Sequence, residues 1–283
     1  MSLFSRKAQA NLKSTFRYQP MQDGEMIEYP TFDGTNVKAF LVGDKKSKST
    51  IIVIQEIWGL TNYIKSYSKR LASQGHLVLA PHLYSRKEEF ETFSQENIAM
   101  AMKLFFEIPP EKRGDKDSIG TALERATPEQ RDVITRLMMG RGQTEDRMVK
   151  DLAMGYEYLK SNFTSQKYGV VGFCMGGGLS FRISTHLPFD ATVVYYGANP
   201  PDLNDISKMK GPTMVLYAGD DPRINSGIPD AVEHFVKFKK QIELKIYPNT
   251  NHAFANNDGS VYNREAAEDA WERASSFFRK YLQ

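Results

Sequence analysis

A single cysteine, Cys174, occurs among the 283 residues. No intrachain disulfide can form, and a free thiol places the chain by default in a reducing compartment, the cytoplasm. An excess of charge is also missing. The 37 Lys and Arg residues nearly balance 34 Asp and Glu, leaving +3, with no basic gathering that would suit nucleic acid. No apolar run approaches the ~20 residues that span a bilayer, and residues 1–20 are polar and mildly basic, without the hydrophobic stretch of a signal peptide. No cluster of His, Cys and acidic residues has metal-ligand spacing, so neither a metal nor an organic cofactor is expected. What is present is 41% hydrophobic residues, 12% of the chain being aromatic, enough for one large core. Residues 1–283 therefore read as one domain. The expected partner is a small molecule rather than nucleic acid or membrane, and homo-oligomerisation stays open.

The hydrophobic patterning predicts an α/β fold. Residues 26–31 and 36–42 are strand-like and are joined through Asp33-Gly34, a turn dipeptide of the hairpin type. Residues 50–54 form a β-branched run without polar alternation, as a strand covered on both faces should. Ile64, Tyr67 and Leu71 then recur at helical spacing, Gln74-Gly75 stops that helix, and residues 77–80 make the next buried strand. Helical patterns at 148–163, 228–240 and 264–281 alternate with strand patterns at 168–171, 192–196, 213–217 and 242–247. Such alternation predicts a mostly parallel sheet with helices on both faces. Residues 87–144 break the rhythm. They contain helical patterns at 93–106 and 128–139, separated by a charged loop at 109–117, and read as a helical insertion above the carboxyl edge of the sheet, where ligands of α/β proteins bind. The apolar residues Ala99, Met100, Met102, Leu104, Phe105 and Phe106 must cover something, whether pocket, core or partner. The insertion is read either as a lid or as an interface.

Cys174 lies in Gly172-Phe173-Cys174-Met175-Gly176, after a predicted strand and before a predicted helix at 177–185. This is a G-x-nucleophile-x-G elbow with sulfur in the usual place of serine. The small neighbours tolerate a strained turn that lifts the side chain clear of the sheet, and the N-terminal end of the following helix favours thiolate over thiol. Downstream come Asp220-Asp221 at the end of one predicted strand and His252 at the end of another, so the chain order is nucleophile, acid, histidine. His252 would serve as general base, and one of the two acids would fix its tautomer. Spacing does not separate Asp220 from Asp221. Of the other histidines, His76 and His82 flank a strand while His186 and His234 fall at or in helical patterns, and all four read as structural.

Gln55-Glu56-Ile57-Trp58-Gly59-Leu60, Leu79-Ala80-Pro81-His82-Leu83-Tyr84-Ser85-Arg86, the cysteine elbow, Gly219-Asp220-Asp221 and Asn251-His252-Ala253-Phe254 together resemble the dienelactone hydrolases, the carboxymethylenebutenolidase family of α/β-hydrolases. The resemblance runs over residues 29–281 apart from the insertion. It implies an α/β-hydrolase fold with Cys174, Asp221 and His252 as a catalytic triad, and Glu56 as the acceptor of a hydrogen bond from the resting thiol. It further implies that the backbone amides of Ile57 and Met175 form an oxyanion hole. Arg86 would grip a substrate carboxylate, with Trp58 and Phe254 as substrate-binding residues, Trp58 being readable equally as core. Two departures stand out. His82 replaces an acid of the family pattern, and Asn256 replaces a second carboxylate-binding arginine, for which Arg223 or Arg264 could substitute.

The expected activity is that of a cysteine-dependent hydrolase cleaving a lactone or activated ester through a thiol acyl-enzyme, with dienelactone as the leading substrate type. Three alternatives remain: a carboxylesterase or thioesterase-like hydrolase of another small ester, a binding or regulatory protein on the same scaffold, and a redox-sensing thiol.

Overall fold

The computed structural model describes residues 23–283 apart from 88, 110, 111, 113 and 114. The N-terminal stretch 1–20 and part of the loop at 109–117 lie outside the described residues. Eight strands form one sheet: β1 Glu25–Pro30, β2 Asn36–Val42, β3 Ser49–Ile54, β4 Leu77–Pro81, β5 Lys167–Phe173, β6 Ala191–Tyr195, β7 Thr213–Ala218 and β8 Ile242–Tyr247. Their spatial order is β1-β2-β4-β3-β5-β6-β7-β8. The two pairings that involve β2 are antiparallel and all others are parallel. Parallel neighbours need crossovers, and helices supply them. The crossovers include α1 Asn62–Ala72, α6 Met175–Ser184, α8 Ile228–Lys237 and, before β5, the long α5 Arg141–Asn162, while α9 Arg264–Leu282 closes the chain.

The central strands β3, β4, β5, β6 and β7 are buried along almost their whole length, as their continuous apolar runs require. The sheet divides two main apolar clusters. One packs α1 and α9 against β5, β6 and β7 through Tyr67, Phe173, Tyr195 and Phe278. The other packs α5 and α6 against Ile52, Ile54 and Leu79.

The segment between β4 and α5 is helical. It contains α2 Gln95–Glu107, α3 Lys116–Glu124 and α4 Pro128–Val133, the last continuing as a wider π-helical turn, Ile134–Met139, that ends at Gly140. Local chemistry explains the helix starts. Ser94 and Asp115 cap α2 and α3, and α4 opens with Thr127, Pro128 and Gln130 in a complete capping box. Helix α3 escapes the periodicity reading because only Ile119 and Ala122 of its nine residues are buried, too few for an apolar stripe. Ile98, Ala101, Met102, Val133, Ile134 and Leu137 join the cluster that contains Leu83, Tyr84 and Met175. The inner faces of these helices thus complete the core beside the elbow.

Candidate active site

Cys174 sits between the end of β5 and the start of α6 with φ 55° and ψ −116°, a backbone conformation costly for any residue with a Cβ. The flanking glycines are required by contact. A Cβ on Gly172 would overlap the carbonyl of Gly176, and one on Gly176 would strike the carbonyls of Ile54 and Gln55. The Cys174 amide donates to Tyr195 O at 3.1 Å, which ties the elbow to β6.

His252 follows β8. Its Nδ1 bonds Oδ2 of Asp221 at 2.5 Å. Asp221 is also the N-cap of the short helix α7 Pro222–Asn225, so its carboxylate is fixed by the start of that helix as well as by the imidazole. The structure therefore separates the two acids that spacing could not: Asp220 is exposed and Asp221 is buried. The other imidazole nitrogen, Nε2, is buried and has no partner in ordinary hydrogen-bond geometry. It is nevertheless near the sulfur. Burial alone would push the His252 pKa down, but the charge of Cys174, the hydrogen bond to Asp221 and the Asp221 charge outweigh it and raise the value to about 10. An imidazole held this way can stabilise a thiolate at neutral pH and can carry a proton to or from it.

Glu56 follows β3 and is 1% exposed. Its Oε2 accepts from Nδ2 of Asn256 at 2.5 Å and its Oε1 from the Tyr196 hydroxyl at 3.4 Å. The Cys174 thiol is not among these hydrogen-bond partners. Burial raises the Glu56 pKa to about 7 against the lowering effects of Asn256, His252 and Tyr196. In the sequence Asn256 stands out only as the position of a missing arginine, and Tyr196 does not stand out at all. Tyr196 could have been found from its place one residue beyond β6, on the carboxyl edge; it has φ 37° and packs its ring on His252, with centroids 5.1 Å apart.

Two peptide planes, one after β3 and one at the elbow, are fixed by their carbonyls. Gly59 N donates to Glu56 O at 3.2 Å and Gly178 N to Cys174 O at 3.2 Å. In a trans peptide the following N–H points the opposite way, so the amides of Ile57 and Met175 are held away from these acceptors. Met175 also opens α6, where the first N–H groups have no partner within the helix. The Tyr84 hydroxyl adds a bond to Ile57 O at 3.0 Å.

Arg86 and Phe254 are engaged within the protein itself. Arg86 is 9% exposed, donates through Nε and Nη2 to both carboxylate oxygens of Asp151, and bonds Asp33 at 2.6 Å, so its charge is matched by two carboxylates of the protein itself. Sequence spacing could not anticipate this, because Asp33 comes from the β1–β2 turn and Asp151 from α5. Phe254 is fully buried and packed between Tyr196 and Tyr247, leaving no surface for a ligand. Trp58 is half-buried against the core cluster that also borders Cys174. Arg264 is exposed and paired with Glu268. Arg223 is exposed and close enough to Asp221 to act on its charge. His76 bonds Ser49 Oγ at 2.7 Å in the core, and burial holds its pKa down at about 4.

Comparisons with known proteins agree with this architecture. The model of the "Dienelactone hydrolase family" matches residues 37–282. A relative from Saccharolobus solfataricus, named "Putative carboxymethylenebutenolidase", is 46% identical over 248 residues, covering 88% of this chain and 95% of its own length. Among solved structures, a Klebsiella pneumoniae protein titled "Putative Dienelactone Hydrolase" superposes with TM-score 0.67 at 22% identity, covering 92% of this chain and 99% of its own. A dienelactone hydrolase from Anabaena variabilis gives TM-score 0.61 at 16% identity over 93% of this chain and all of the other. At those identities the structural likeness speaks to fold alone.

Proposed function

The chain belongs to the dienelactone hydrolase family and is a hydrolase of that type, and on that premise we propose that it cleaves a lactone or activated ester with Cys174 as nucleophile. The observation that carries the reading is the line of Asp221, His252 and Cys174, in which a carboxylate fixes Nδ1 while the sulfur's charge acts on the same ring. The thiolate attacks the acyl carbon, forming a C–S bond as the carbonyl π pair moves onto oxygen. The amides of Ile57 and Met175 receive that charge. Collapse breaks the C–O bond of the ester, His252 protonates the departing oxygen, and a thioester remains on Cys174. Water then attacks the thioester, giving its proton to His252, and the C–S bond breaks to return the thiolate. A thiolate is a good leaving group, so an acyl group with a poor leaving group tends to fall back to substrate; activated esters and lactones are therefore favoured over alkyl esters and amides. Trp58, packed on the cluster that also borders Cys174, is assigned to the wall of the substrate site. The 87–144 helices serve as a cover, with Ile98, Ala101 and Leu137 packed in the cluster that holds Tyr84 and Met175, and with Glu89, between β4 and α2, paired to both Arg136 and Arg147.

Steady-state hydrolysis of an aryl acetate and a neutral lactone by wild type and Cys174→Ala tests this reading, with mass spectrometry of a quenched reaction for an acyl adduct on Cys174. Turnover should fall at least a thousandfold in the variant. Activity that survives the substitution, or an adduct on another residue, would remove the thiol from the mechanism.

A further inference from the structure

The polar groups around the sulfur are negative or neutral, apart from the imidazole itself. Asp221 and Glu56 are buried carboxyl groups that both interact with His252, and Asp258 adds a further negative charge that acts on Glu56. Tyr84 and Tyr196, the hydroxyls that feel the charge of Cys174, are driven by burial to stay neutral. The Asn256 amide is neutral and is held in place, its Oδ1 accepting from the Asp258 amide at 2.9 Å while its Nδ2 donates to Glu56. Cations nearby are already matched. Arg86 is held by Asp33 and Asp151, and Arg147, which acts on Tyr84, is held by Glu89 and Asp151. His252 carries one positive charge against the thiolate and Asp221 together, so the Cys174, His252 and Asp221 group is net negative when the sulfur is ionised.

Resting on the thiol-hydrolase reading above, we infer that this site selects an uncharged lactone or ester and discriminates against a substrate whose acyl part carries a carboxylate. Such an anion would enter a partly buried, net negative site where the guanidinium groups of Arg86 and Arg147 are already paired with carboxylates, and bringing in unpaired charge there is costly. Among the described residues, exposed Arg223, beside Asp221, is a cation that could reach across.

The test compares 4-nitrophenyl acetate with mono-4-nitrophenyl glutarate, whose acyl chain ends in a carboxylate, using wild type, Asn256→Arg and Arg223→Ala. In wild type, kcat/KM should be roughly tenfold or more higher for the acetate, the difference lying mainly in KM. Asn256→Arg should narrow the gap by lowering KM for the glutarate. Equal efficiency, or preference for the glutarate in wild type, overturns the inference; if that preference disappears in Arg223→Ala, Arg223 is the anion-binding residue instead. Should neither ester turn over, the hydrolase reading fails, and charge selection is read from alkylation of the Cys174 thiol. The iodoacetate to iodoacetamide rate ratio should then fall below that of free cysteine, and a ratio equal to or above it overturns the inference.

Discussion

Nδ2 of Asn256 donates to Oε2 of Glu56 at 2.5 Å, joining positions 200 residues apart in the chain inside a buried part of the site. The donor is neutral, as is the Tyr196 hydroxyl on the other carboxylate oxygen. Neutral donors offset only part of the desolvation of Glu56, which is why its pKa stands near 7.

That shift has a sign for stability. The folded pKa is raised above the unfolded value, so between about pH 4.5 and 7 the native state keeps a proton that the unfolded chain has lost, and stability falls as pH rises through this window. Urea unfolding of wild type and Glu56→Gln at pH 4.5 and 8 should differ between the two pH values by about 3 kcal/mol at most, with wild type losing ground at high pH. A pH-independent difference would mean that Glu56 is ionised throughout.

His252 runs the same way in pH, over a higher window. Its contribution is fully present below the ordinary imidazole pKa near 6.5 and is lost as pH rises through about 10. Ring-proton or ¹⁵N NMR should find the imidazolium still dominant at pH 8. Because the charge of Cys174 is the leading raising influence, Cys174→Ser should move the midpoint down by at least one pH unit. An unchanged midpoint would show that sulfur and ring do not interact.

Asp221→Asn keeps the size of the side chain but offers a neutral partner to Nδ1, releasing the ring from its fixed tautomer. Turnover should drop by roughly a hundredfold or more with KM little changed. Asp220→Asn, at an exposed neighbour, should stay within about twofold.

At the elbow, Cys174→Gly removes the strain of a Cβ at φ 55° and should unfold at higher denaturant than Cys174→Ala, by about 1 kcal/mol, although both lack the thiol. Equal stability would mean that the surrounding structure absorbs the strain without cost.

For Arg86, the ion pairs predict a stability effect. Arg86→Ala leaves Asp151, 0% exposed, with Arg147 as its remaining cationic partner and should cost about 3 kcal/mol in urea unfolding. Its KM for neutral and acidic esters should change equally. A selective rise for the acidic ester would restore the carboxylate-gripping role.

The elbow, the alternation of strands and helices, and the order of cysteine, acid and histidine could all be read directly from the chain. They depend on short-range rules: periodic burial, glycine where backbones touch, and strand ends that face one edge of a parallel sheet. The choice of Asp221 over Asp220, the pairing of Asn256 with Glu56, the capture of Arg86 by Asp33 and Asp151, and the burial of Phe254 could not be read that way. Each depends on which distant segments meet across the sheet, and the fate of a charge or ring is settled by the neighbours that the folded chain brings within a few ångströms.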